Sequence, residues 1–108
     1  MPYVAQFTPE TLTRADVDAS RGPLVLEFGT PWCGWCSGAQ PHVRAAFEQA
    51  GAEVPHVKVE DGPGRPLGRS FKVKLWPTLV FLRDGVEVDR LVRPQATAAI
   101  ADALQRLA

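Results

Sequence analysis

Cys33 and Cys36 are the only cysteines in this 108-residue chain, and they stand two residues apart in the run Trp32-Cys33-Gly34-Trp35-Cys36. Two sulfurs at that spacing can pass between a dithiol and an internal disulfide, so the first chemistry to consider is redox chemistry. The pair closes too short a loop to staple an unfolded chain. As half of a structural zinc site it would need two more ligands. No second Cys-x-x-Cys exists, and His42 and His56 would have to complete the set, so no metal is expected. An iron–sulfur cluster shared between two chains is set aside on the same ground, and no other cofactor is called for.

The elements that must position the pair follow from the pattern around it. Leu24 to Phe28 is apolar except for Glu27, which predicts a central strand covered on both faces. From Gly34 to Ala50, Cys36, Ala39, Val43, Ala46, Phe47 and Ala50 recur at three- and four-residue spacing, which predicts a helix with Gly51 as its stop. Pro41 lies inside it and should bend it. Cys33 then precedes the first helical turn, where unpaired backbone N–H groups and the positive dipole end collect. Cys33 is expected to carry the reactive thiolate. Cys36 continues the buried stripe and is placed to attack a mixed disulfide formed at Cys33.

Elsewhere, Tyr3 to Phe7 is read as a short edge strand, and Thr13 with Asp16 as the cap of a short helix ending near Gly22-Pro23. Val54 to Val59 is a strand, Leu67 to Phe71 a short helix, and Thr78–Leu82 and Val86–Val92 a hairpin about Asp84-Gly85. A last helix follows Pro94, with Ile100, Ala103, Leu104 and Leu107 on one face. Gly62, Gly64 and Gly68 invite a phosphate-loop reading, but Pro63 and Pro66 remove donors that such a cradle needs.

The length fits a single domain over 1–108, expected to act as a monomer. Twelve basic against twelve acidic residues give no net charge, so neither nucleic acid nor an anionic membrane surface is an expected partner. Met1 to Glu10 does not read as a secretory signal, and a cytoplasmic location is expected.

Cys-Gly-Trp-Cys after a strand ending Glu-Phe, Pro41 five residues past Cys36, and the later Trp76-Pro77-Thr78 together resemble thioredoxin. The resemblance spans roughly Leu24 to Ala108. It implies an α/β thioredoxin fold, a central mixed sheet of four to five strands with helices on both faces. It also implies a cis peptide bond at Pro77 beside the cysteines, and a docking groove for a substrate's extended chain formed by Trp32, Gly34, Trp35, Trp76, Pro77 and Arg93. Glu27 matches the family's buried acid, usually aspartate, which helps move the proton of the resolving thiol. The implied activity is thiol–disulfide oxidoreduction on disulfide-containing proteins, with electrons from a donor such as a thioredoxin reductase.

Four residues depart from the family pattern. Trp35 stands where thioredoxins have proline and disulfide isomerases histidine; Ser37 replaces a lysine, Gly29 a tryptophan, and Arg93 a glycine that faces the groove. The three tryptophans are read as an exposed peptide-binding patch rather than as core. His56 is read as a surface histidine at a strand start in preference to a relay partner of Glu27, and His42 as solvated. The competing functional class is a redox-switched peptide-binding or chaperone-like module with little turnover.

Overall fold

A computed structural model describes residues 3–9, 11–50 and 53–107. The elements run β1 (Thr8–Pro9), α1 (Arg14–Asp18), β2 (Pro23–Gly29), α2 (Gly34–Ala50), β3 (His56–Glu60), α3 (Pro66–Ser70), β4 (Thr78–Arg83), β5 (Val86–Val92) and α4 (Thr97–Leu107). The strands form one mixed sheet in the order β1-β3-β2-β4-β5. β1 and β2 flank β3 in parallel, β4 runs antiparallel to β2, and β5 antiparallel to β4.

β2 is central because its side chains are apolar on both faces. Val25 joins Leu79 and Phe81 of β4 beneath Val43 and Phe47 of α2 and Ile100 and Leu104 of α4. Leu24, Leu26 and Phe28 point the other way, with Val80 and Leu82, into a second core closed by Val17 of α1, Leu67 of α3 and the adjoining Phe71. Burying a large aliphatic or aromatic side chain contributes about 1.5–3 kcal/mol. Two filled faces therefore hold β2 rigid up to Gly29, where the loop to the cysteines begins.

Local signals fix the ends of several elements. Thr13 and Asp16 form a reciprocal capping box at the start of α1. Asp84 (φ 53°) and Gly85 (φ 79°) both take the left-handed conformation that a two-residue hairpin requires. A side chain at Gly85 would overlap the Asp18 backbone, and Asp84 Oδ1 accepts the Gly22 N–H at 2.7 Å, so the hairpin is anchored to the α1–β2 turn. α2 continues through Pro41. Gly51, the expected helix stop, lies outside the described residues.

Two strand expectations are corrected. β3 begins at His56 rather than Val54, because Pro55 has no N–H to give a ladder; its carbonyl accepts from Val25 N at 2.9 Å. The edge strand is Thr8–Pro9 rather than Tyr3–Phe7. The chain from Tyr3 to Ala5 spends hydrogen-bonding groups on side chains behind the cysteine pair instead of on a strand.

Candidate active site around Cys33 and Cys36

β2 ends at Gly29, Thr30 to Trp32 turn the chain, and α2 starts at Gly34. The turn is closed by Cys33 N to Thr30 O at 3.4 Å and Ser37 N to Cys33 O at 3.0 Å. Cys33 is partly exposed at the helix start, and its Sγ accepts the Cys36 N–H at 3.2 Å. A first-turn amide aimed at a sulfur is the interaction that favours negative charge there. Cys36 is only 1 % exposed, and its thiol is pushed up to about 12, first by burial, then by its contact with Cys33, with the Glu27 charge adding to the rise. A backbone hydrogen bond with Thr30 partly offsets this.

The absence of a side chain at Gly29 has a direct cause. A Cβ there would lie 2.6 Å from Cys36 Sγ and 2.7 Å from the Phe7 ring. Phe7 fills the room beside the Cys36 sulfur that a larger residue at position 29 would otherwise take.

Behind Cys36 lies a polar cluster in which Glu27, His56 and Lys58 are buried and Gln40 and Tyr3 partly exposed. Glu27 is fully buried; its Oε1 faces His56 Nε2 at 2.8 Å and its Oε2 accepts from Gln40 Nε2 at 2.7 Å. The same Gln40 amide reaches Cys36 O at 2.9 Å. Gln40 Oε1 accepts from Lys58 Nζ at 2.6 Å and from the Tyr3 hydroxyl at 2.9 Å. Lys58 also donates to Ala5 O at 2.9 Å, and its Nζ stands 4.3 Å from the Phe7 ring centre. Burial lowers the Lys58 ammonium below its ordinary range, opposed by the charge of Glu27 and by Cys36.

His56 is therefore not a surface histidine. It is buried, stacked on Phe47 at 4.7 Å, and its Nδ1 accepts the Val4 N–H at 2.8 Å. A ring nitrogen that accepts cannot carry hydrogen, so the network assigns the hydrogen to Nε2, which donates it to Glu27. Sequence reasoning missed Gln40, Lys58 and Tyr3. The signal for Lys58 was the alternation His56-Val57-Lys58-Val59, paired in register with Glu27 across β3 and β2. Alternation alone assigns such residues to a polar face; here that face is covered by α2.

The front of the pair is open. Trp32 is 74 % and Trp35 48 % exposed. Trp76 meets Trp32 edge-on at 5.7 Å, and its indole N–H donates to Asp61 Oδ2 at 2.9 Å. A Cβ on Gly68 would overlap that Asp61 carboxylate, so Gly68 makes room for the anchor of Trp76. Asp61 is a fourth residue that sequence reasoning missed. The Trp76–Pro77 peptide bond is cis. Arg93, at φ 50°, donates its backbone N–H to Pro77 O at 2.8 Å and its Nε–H to Trp76 O at 2.9 Å, and its guanidinium lies 4.6 Å from the Trp35 ring centre. His42, expected in solvent, is half-buried and bonded to Thr97 Oγ1 at 3.0 Å between α2 and α4. Among the described residues no three His, Cys, Asp or Glu side chains gather into a metal-ligand set.

Against this geometry, the family profile for thioredoxin matches residues 4–106. The chain belongs to the thioredoxin family. Thioredoxin 1 of Synechococcus elongatus is 27 % identical over 95 % of this chain and 96 % of its own length. Protein disulfide-isomerase A2 of Pongo abelii is 36 % identical over 77 % of this chain, a match that takes in 17 % of that longer protein. Among solved structures, reduced thioredoxin 2 of Pseudomonas aeruginosa superposes with a TM-score of 0.84 at 51 % identity, covering 95 % of this chain and 94 % of that one. With the cysteine pair on its helix start, this member of the thioredoxin family is a thiol–disulfide oxidoreductase. No helix among the described residues is long and apolar enough to cross a membrane.

Proposed function

We propose that the protein is a protein disulfide reductase in which Cys33 is the nucleophile, Cys36 the resolving thiol and Glu27 the proton carrier. The observation that carries this reading is the unequal placing of the two sulfurs: Cys33 at the surface, accepting the Cys36 amide at 3.2 Å, and Cys36 buried with its proton retained.

The Cys33 thiolate attacks one sulfur of a substrate disulfide. The S–S bond breaks, a Cys33–substrate disulfide forms and the first substrate thiolate leaves. Cys36 then gives its proton to the Glu27 carboxylate and attacks Cys33 Sγ, expelling the second substrate thiolate. Two electrons have passed to the substrate, and Cys33 and Cys36 are left as a disulfide. His56 and Gln40 hold the two Glu27 oxygens, so the carboxylate stays aimed while the proton moves. Trp32, Gly34, Trp35, Trp76, Pro77 and Arg93 form the docking surface.

An external dithiol donor such as a thioredoxin reductase regenerates the pair, and the direction suits a reducing compartment such as the cytosol. The protein should reduce insulin disulfides with turnover. Cys33→Ser should abolish that activity, and Cys36→Ser should accumulate a mixed disulfide that denaturing gels resolve. A reduction potential for the 33–36 couple far above the cytosolic glutathione poise overturns the reductase direction in favour of an oxidase or isomerase.

A further inference from the structure

Arg93 lies between the Trp35 ring and the backbone of Trp76 on the front face. Its Nε–H is spent on Trp76 O and its plane rests over Trp35, so the guanidinium is held in place before any substrate arrives. The hydrogen bond engages the inner Nε–H only. The two terminal amino groups have no hydrogen-bond partner among the described residues and form one edge of a planar fork, the geometry that pairs a carboxylate through two parallel hydrogen bonds. A fork already immobilised loses little further freedom on binding.

The surroundings carry the same sign. The groove of about 550 Å³ beside Trp35, lined by Gly34, Gly38, Ala39, His42 and Pro94, has no acidic residue on its wall. On the far side of Trp76, a second groove of about 590 Å³ is lined by Arg65, Arg69, Lys72 and Lys74. Its only acid, Asp61, is bonded to the Trp76 indole, and Arg65 is paired with Glu60. Arg69, Lys72 and Lys74 make no side-chain hydrogen bond or ion pair among the described residues. The chain as a whole balances twelve bases with twelve acids, so this excess is a property of the rim and not of the molecule.

We propose that Arg93 is a specificity-determining residue that recognises a carboxylate, so that the preferred substrates are protein disulfides with Asp or Glu beside the attacked cysteine. Arg69, Lys72 and Lys74 steer the same acidic segments toward the site. The inference rests on the reductase reading and names its substrate class. Arg93 also bears on docking directly: its Nε–H takes one lone pair of the Trp76 carbonyl, and a substrate backbone N–H that pairs there takes the other, so the fork stays in place for the substrate's carboxylate.

The test is a set of three disulfide peptides that differ only in Glu, Gln or Lys beside the cysteine, with kcat/KM for reduction measured at low and at high salt. The wild type should reduce the Glu peptide about tenfold faster than the Lys peptide at low salt, with part of that ratio surviving high salt, because a fork pair is screened less than long-range steering. Arg93→Lys should keep the salt-sensitive part and lose the rest. Arg93→Gly, which suits the positive φ and so preserves the fold, should lose most of the preference. A triple reversal, Arg69→Glu with Lys72→Glu and Lys74→Glu, should diminish the salt-sensitive part. Equal rates for the Glu and Lys peptides in the wild type, or a ratio unmoved in Arg93→Gly, overturn the proposal while reduction of the Gln peptide leaves the reductase reading standing. Failure to reduce any of the three removes both.

Discussion

The two sulfurs face two different solvents. Behind Cys36, the side chains of Glu27, Gln40, His56 and Lys58 bond to one another and to the backbone of residues 4, 5 and 36. In front of Cys33, Trp32 and Trp35 stand open to water and a cation lies over one of them. Polar groups are inside and apolar groups outside, the reverse of what transfer free energies favour. Such an inversion persists where it serves a purpose. In the reductase reading, the buried side needs a carboxylate that can receive a proton, and the open side needs apolar area that a partner can cover. On that reading, each half of the pair takes the chemistry of its own side: proton control at Cys36, docking at Cys33.

Replacing Glu27 by Gln breaks the rear half and leaves the front alone. The amide keeps the shape but offers one acceptor where the carboxylate offers two, so either His56 Nε2–H or the Gln40 amide loses its partner. Resolution by Cys36 should slow about 10²-fold, the usual size of a lost general base. The first attack by Cys33 should be unchanged. Tryptophan fluorescence in rapid mixing separates the two phases, and equal slowing of both contradicts the division of labour.

A smaller effect tests the environment of Cys36 itself. In a Cys33→Ser background, Cys36 is the only thiol. Below pH 9.0, its ordinary value, it is protonated whether the chain is folded or not. Above that the unfolded chain's thiol ionises while burial and the Glu27 charge still hold the proton on the folded one, the Cys33 contribution having left with its sulfur, so the unfolded state gains and stability falls as pH rises. The loss approaches about 1.4 kcal/mol per pH unit at its steepest. Denaturant titrations of Cys33→Ser beside Cys33→Ser/Cys36→Ala isolate it; parallel curves above pH 9.0 exclude a thiol raised by burial.

What the sequence made legible divides along the same line. Apolar periodicity located β2, α2, the β4–β5 hairpin and α4, because burying a stripe is a decision made by neighbours in the chain. It also separated Cys36 from Cys33, since one continues the α2 stripe. The rear cluster was opaque for the opposite reason. His56 and Lys58 are polar residues on an alternating strand, and whether that face meets water or a helix is decided by α2 crossing above it. Tyr3 to Phe7 reads as a strand by composition, yet Val4 N and Ala5 O find better partners in His56 and Lys58. On the front, the exposure of Trp35 followed from its place off the apolar stripe of α2. The Asp61–Trp76 bond joins residues from two separate loops and has no local signature.

That bond carries the least conspicuous prediction and the one that most sharpens the contrast. The open face is not loose: Trp76 is tethered by Asp61, and Asp61 lies where it does because Gly68 has no side chain. Gly68→Ala sets two effects against each other. In a short helix alanine removes some of glycine's unfolded-state freedom, worth about 0.5–1 kcal/mol in favour of the fold. The added methyl, however, overlaps the Asp61 carboxylate and must displace it, at a cost typical of overpacking of about 1–3 kcal/mol. The net should be a loss of about 1 kcal/mol. With Asp61 moved, the Trp76 indole loses its acceptor and its edge-on contact with Trp32, so KM for protein disulfides should rise while resolution by Cys36, on the other side of the pair, keeps its rate. Asp61→Asn retains an acceptor oxygen for the indole and should shift KM less than Gly68→Ala does. The reverse order separates the tether from the docking surface, and a change in the resolution rate joins the two sides that the fold keeps apart.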